Sequence, residues 1–185
     1  MKQINLKQKS LLFMLVMLCM NLSAAAENVN GVNIDGVYYN LQNSWYYDYY
    51  DANGNYRYNS FSNVAFVTSN PDTEVSNPGS VDTYQGDLTI PSKVTYNDTE
   101  YTVMSVNSYA FANCRSLTSV QLPSSVLQIG GCAFRYCTSL TSVTMSGVEK
   151  LESQLFAYSA LTTISLPMTL KYINSDAFNL DYSLV

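Results

Sequence analysis

From Val103 onward, apolar residues return in fixed columns along the chain. Phe111, Phe134, Phe156 and Phe178 stand 23, 22 and 22 residues apart. Leu117, Leu140, Leu161 and Leu184 follow them. Val120, Val143 and Ile164 come next, and two places later Leu122, Met145 and Leu166. Two further columns are Val103, Val126, Val148 and Leu170, and Val106, Ile129, Leu151 and Ile173. Columns held in this way over successive units define an internal repeat of 22–23 residues.

Each unit reads as one turn of a coil. The triplet Leu117, Val120 and Leu122 ends on a period-two alternation, which predicts a short strand with one face buried. Pro123 and Pro167 close that strand, because proline gives no N–H to a ladder. A second extended stretch carries Val126 and Ile129 inward, and an Ala-Phe pair follows at a tight turn. No coil can bury its apolar ring alone, so neighbours must stack. The leucines and phenylalanines are therefore core residues, not a site.

The pattern C-x-x-L-x-x-V-x-L-P-x-x-V-x-x-I-x-x-x-A-F, which Cys114 to Phe134 follows almost position for position, closely resembles the BspA-like bacterial leucine-rich repeats. The resemblance covers about residues 86 to 185. It implies a mainly β leucine-rich-repeat solenoid, and attachment to matrix proteins or cell surfaces as the usual role. Unit three departs from the pattern. Ser159 replaces the cysteine, Leu155 replaces the small alanine, and one residue is missing before Leu161.

Upstream, Leu88 to Val94 echoes Val120 to Val126, as an earlier coil interrupted by an inserted hairpin. Val94-Thr95-Tyr96 and Tyr101-Thr102-Val103 would be its arms, covering the open end of the solenoid. Val32 to Leu41 and Ser60 to Ser69 predict strands, separated by the aromatic run Trp45 to Tyr50. The loop Asn70 to Tyr84 is rich in Ser, Pro, Asp and Thr and reads as mobile. Residues 27–85 are thus expected to form an N-terminal β module or cap, and residues 86–185 the solenoid.

The first 26 residues carry Lys2, Lys7 and Lys9, an apolar run from Leu11 to Met20, and Ala24-Ala25-Ala26. This predicts a cleavable signal peptide, since the run is far short of the roughly 20 residues of a spanning helix. Cys19 is read as one more apolar residue of that leader. Removing it takes three of nine basic side chains and none of fourteen acidic ones, leaving six against fourteen, a net charge of −8. Nucleic acid and anionic lipid are poor partners for such a chain. The chain has no histidine, which removes the commonest general base and most catalytic zinc sites. No paired-carboxylate motif replaces it, so neither an enzyme nor a metal or other cofactor is expected.

Three cysteines remain after the leader. Cys114 and Cys137 share one repeat position, where buried free thiols are favoured over a disulfide. The solvent face of the repeat strands carries columns Thr118, Thr141 and Thr162; Ser119, Ser142 and Thr163; and Gln121, Thr144 and Ser165. This uncharged, hydroxyl-rich surface suits protein or sugar, although Ser and Thr are also ordinary polar strand residues. Trp45, Tyr46, Tyr47, Tyr49 and Tyr50 form a second candidate, either an aromatic platform for sugar rings or an anchor for a protein partner, or equally an amphipathic strand or loop packed on the cap.

Two functions follow. The first is an exported, secreted or surface-held protein that adheres to host or neighbouring-cell macromolecules. The second is a glycan-binding module for polysaccharide capture. The last unit stops at Leu184-Val185, half-way round a coil, which predicts a partial product or an end covered by self-association.

Overall fold

A computed structural model describes residues 28–50, 53, 55–72 and 82–179. The leader and Leu184-Val185 lie outside the described residues. Eleven strands and no helix are found among them. They are β1 (Val29–Ile34), β2 (Val37–Tyr50), β3 (Tyr56–Thr68), β4 (Gly86–Thr89), β5 (Lys93–Tyr96), β6 (Thr99–Val106), β7 (Leu117–Leu122), β8 (Gln128–Ile129), β9 (Ser142–Met145), β10 (Lys150–Leu151) and β11 (Tyr172–Ile173).

Two sheets flank the core. One runs β1-β2-β3-β6-β8-β10-β11, with β5 also paired to β6; the other is β4-β7-β9. From β6 onward the pairing is parallel, with Val106 opposite Ile129 and Ile129 opposite Leu151. Likewise Val120 faces Val143 in the second sheet. One repeat length thus lays each strand beside its copy. In β7, Leu117, Val120 and Leu122 are buried and Thr118 and Gln121 exposed, the alternation expected of a half-buried strand.

The third edge of each coil is the Ala-Phe turn, and it contains no helix. Backbone N–H groups there alternate between two kinds of partner. Tyr109, Phe111 and Asn113 donate across to Gly131, Ala133 and Arg135 of the next coil, while Ala110, Ala112 and Cys114 donate within their own turn. The next coil repeats the scheme from Cys132 to Cys137. Residues two before and two after the phenylalanine bend it: Tyr109, Asn113, Cys132, Tyr136, Gln154 and Tyr158 all have φ between 51° and 63°. L-residues with side chains rarely adopt this conformation. In the first two turns every amide from 109 to 114 and from 132 to 137 is satisfied at once, which holds the conformation in place.

Inside this edge the phenylalanines stack. Ring centroids are 5.0 Å apart between Phe111 and Phe134, 5.4 Å between Phe134 and Phe156, and 5.9 Å between Phe156 and Phe178. Tyr84 begins the column edge-on to Phe111 with ring centroids 5.1 Å apart, donates its hydroxyl to the Thr68 carbonyl at 2.7 Å, and accepts from the Tyr38 N–H. The end of the segment expected to be mobile is therefore buried at Tyr84; residues 73–81 lie outside the described residues.

The inserted hairpin is present as β5–β6, with Asn97 and Asp98 left-handed at its turn. It does not cover the first coil as expected. That edge of β6 pairs with β3, at Ala65–Val103 and Val67–Val106. The aromatic run is strand, one of the readings left open for it: Trp45 to Tyr50 continue β2, paired residue by residue with β3.

Unit three supplies the main correction. Leu161 to Leu166 form no strand. In the earlier coils the leucine follows the phenylalanine by six positions, and Leu117 and Leu140 N–H close a last turn on the carbonyls of Cys114 and Cys137. Here the interval is five. Leu161 N–H bonds instead to the Ser159 hydroxyl oxygen at 3.3 Å. The segment leaves that turn out of register with β9, and the second sheet ends there.

Two outcomes follow for urea unfolding. Phe134→Ala, at the fully buried centre of the stack, should cost about 3–5 kcal/mol, and Phe178→Ala at its half-buried end clearly less. Gly147→Ala should cost about 1–3 kcal/mol, because a methyl there collides with the Ser124 backbone of the preceding coil. Equal losses at Phe134 and Phe178 would show that the stack is not the organising core.

Candidate functional site

The outer face of β4-β7-β9 carries the predicted hydroxyl columns, and the structure divides them into two groups. At the β4 end, Asp87 accepts from the Thr118 and Ser119 hydroxyls, each at 2.7 Å. These bonds, Ser119 first, hold its carboxyl below the usual carboxylate range. Two of the nine columned side chains are thus occupied inside the molecule. Thr141 bonds the Thr118 carbonyl at 3.3 Å.

At the other end, Ser142, Thr144, Thr163 and Ser165 are exposed, and among the described residues their hydroxyls have no bonding partner. They border a groove of about 580 Å³ lined by residues 141–146 and 163–168. It contains five of the nine predicted face residues, with Thr141 the fifth. Thr118, Ser119, Gln121 and Thr162 lie outside it. No charged side chain lines it, and Leu166 and Met168, with the half-buried Ile164 and Pro167, supply its apolar surface. The groove exists because the third strand fails to pair. The missing residue that causes this is visible in the sequence; the opening is not.

The aromatic candidate is distributed differently. Trp45 is half-buried and Tyr47 buried. Trp45 packs against Tyr47, Phe61 and Phe66 at 5.3–5.9 Å. These rings are engaged in packing. The side chains of Tyr46, Tyr49 and Tyr50 lie outside the described residues. Sequence reasoning passed over Tyr56 and Tyr58 of β3, which are 58% and 63% exposed and pair with Tyr50 and Asp48.

Chemistry elsewhere is sparse. Cys114, Cys132 and Cys137 are free and buried, as favoured above. Burial raises the Cys114 thiol to about 11 and the Cys137 thiol well above the ordinary value. Cys137 donates to the Phe111 carbonyl at 3.0 Å. Among the described residues, no three His, Cys, Asp or Glu side chains converge to hold a metal. No described helix is long and apolar enough to cross a membrane.

The repeat profile described as "BspA type Leucine rich repeat region (6 copies)" matches residues 87–184. The chain belongs to this family. Its fold is accordingly a mainly β leucine-rich-repeat fold. A leucine-rich repeat protein from Bacteroides capillosus aligns at TM-score 0.57 and 24% identity, over 84% of this chain and 95% of that one. The leucine-rich repeat protein of T. pallidum aligns at TM-score 0.53 and 24% identity, over 76% of this chain and 56% of that one. At that identity the likeness is one of fold. No curated protein matches this chain.

The thiols give a pH prediction. Their folded values lie above the unfolded value of 9.0, so the fold favours the neutral form. Their contribution is complete below pH 9 and is lost as pH rises through about 11 and beyond. Unfolding free energy should therefore hold level up to about pH 9 and fall above it, the fall becoming shallower in Cys114→Ala/Cys137→Ala. An unchanged alkaline limb in that variant would contradict the assignment.

Proposed function

We propose that the protein is exported by its leader and binds an extracellular protein through the hydroxyl face and groove of the β4-β7-β9 sheet. The observation that carries this reading is the groove: unbonded hydroxyls and exposed methionine and leucine side chains meet there without one charge. Protein surfaces are recognised by such mixtures of apolar contact and adaptable hydrogen bonds. In this reading residues 86–185 form a solenoid and residues 27–85 its N-terminal cap. Parallel pairing of β3 on β6 and the Tyr84 ring against Phe111 support that division. Adhesion to host or neighbouring cells is the role this surface would serve.

Glycan capture is the second reading, favoured by one observation: Tyr56 and Tyr58 expose their rings on β3. Sugar rings stack on such faces.

Binding of the monomeric protein to immobilised matrix proteins and mucin-type glycans separates the two. Thr141→Lys with Thr162→Lys should weaken a protein ligand by about tenfold or more, since each charge must be desolvated at the interface. Tyr56→Ala with Tyr58→Ala should leave it unchanged. The reverse pattern, with glycans alone bound and lost on tyrosine removal, would replace the first reading by the second.

A further inference from the structure

The groove is built from two backbone edges. If it lay on the face of a sheet, alternate residues of each strand would line it, because successive side chains point to opposite sides. Instead every residue from 141 to 146 and from 163 to 168 does so, including the inward Val143, Met145 and Ile164. The groove therefore runs between β9 and the segment 163–168. Thr141 N–H donates to the Thr118 carbonyl at 3.0 Å. By alternation Val143 and Met145 also turn their peptide groups to β7, and Ser142 and Thr144 turn theirs into the groove. Among the described residues, no backbone bond joins residues 142–146 to 163–168.

We propose, resting on the reading of this site as a protein-binding surface, that the groove accepts an extended, uncharged segment of the partner polypeptide as an added β-strand. The walls define the occupant. An open strand edge requires alternating amide donors and carbonyl acceptors, which an extended peptide supplies throughout its length. Six residues on either wall match a segment of six or seven residues. Charge excludes the alternatives. The chain as a whole is acidic, with net charge −5, yet neither wall carries a charge, so a charged side chain seated there would lie unpaired. Apolar and hydroxyl-bearing side chains fit Ile164, Leu166 and Met168 on one side and Ser142, Thr144 and Ser165 on the other.

The probe is a blocked peptide copying residues 140–146, LTSVTMS, because this segment occupies the corresponding place against β7. Dye-labelled peptide is titrated with the full chain and followed by anisotropy. Saturable binding is expected, falling about tenfold or more when alternate peptide amides are N-methylated, and again with Thr144→Pro, which removes an N–H on the open edge. Inserting one threonine between Ser159 and Ala160 restores the six-residue interval. It should let the third strand close on β9 and abolish peptide binding, whereas Thr95→Lys, exposed on β5 and remote from the groove, leaves it intact. Equal affinity for the N-methylated peptide, or for the insertion variant, would overturn strand addition. So would a self-associated chain that the peptide does not dissociate, since a second copy would then be the occupant. If the peptide fails but a matrix protein still binds and is weakened by Thr141→Lys, the face reading stands and the added strand does not.

Discussion

No coil of this chain can bury its own ring of apolar side chains, and every other feature of the structure is a consequence of stacking them. The stack is held where Phe111, Phe134, Phe156 and Phe178 lie ring on ring, with Tyr84 edge-on against Phe111. Around it, turn amides alternate between a bond to the next coil and one within their own. Such a column tolerates little variation in spacing. Each unit must return its phenylalanine, its leucine and its two strands to the same height, so the residue count between them becomes the structural specification.

That specification fails once, over a short stretch. In unit three the turn still bonds the next coil, shifted by one residue so that Gln154 and Leu155 N–H donate to Asp176 and Ala177, and the narrow sheet continues through β10 and β11. Only the side carrying the longer strands opens, because five residues rather than six lead from Phe156 to Leu161. Ser159, where the earlier units have cysteine, takes the leucine amide on its own hydroxyl. The closed sides keep the unit anchored while the open side exposes a strand edge. A defect confined in this way is compatible with a stable fold and creates a place where another chain can contribute what is missing.

Much of the fold was legible from spacing alone: the columns became core through the first two units, although Leu166 and Ile173 of the later ones are exposed, Pro123 follows the end of β7, and the inserted hairpin formed around Asn97-Asp98. What escaped was whatever depends on neighbouring coils. Tyr109 and Tyr136 give no sign in sequence that they adopt left-handed backbone, because the bonds that hold them come from residues over twenty positions away. Tyr84 sat at the end of a polar loop and proved to begin the aromatic column. Trp45 and Tyr47 read equally as a platform or as packing, and Trp45 is engaged with Tyr47, Phe61 and Phe66. The hydroxyl face was visible as columns. Its division was not, since Asp87 reaches Thr118 and Ser119 only when β4 lies beside β7.

Amide hydrogen exchange across β7 and β9 addresses the open edge most directly. β7 is paired on both sides and β9 on one. The account predicts slow exchange throughout β7 and at Val143 and Met145, with fast exchange confined to Ser142 and Thr144. Equal protection of all four β9 amides in the monomeric protein would mean that the third strand is closed, and that the missing residue opens no groove.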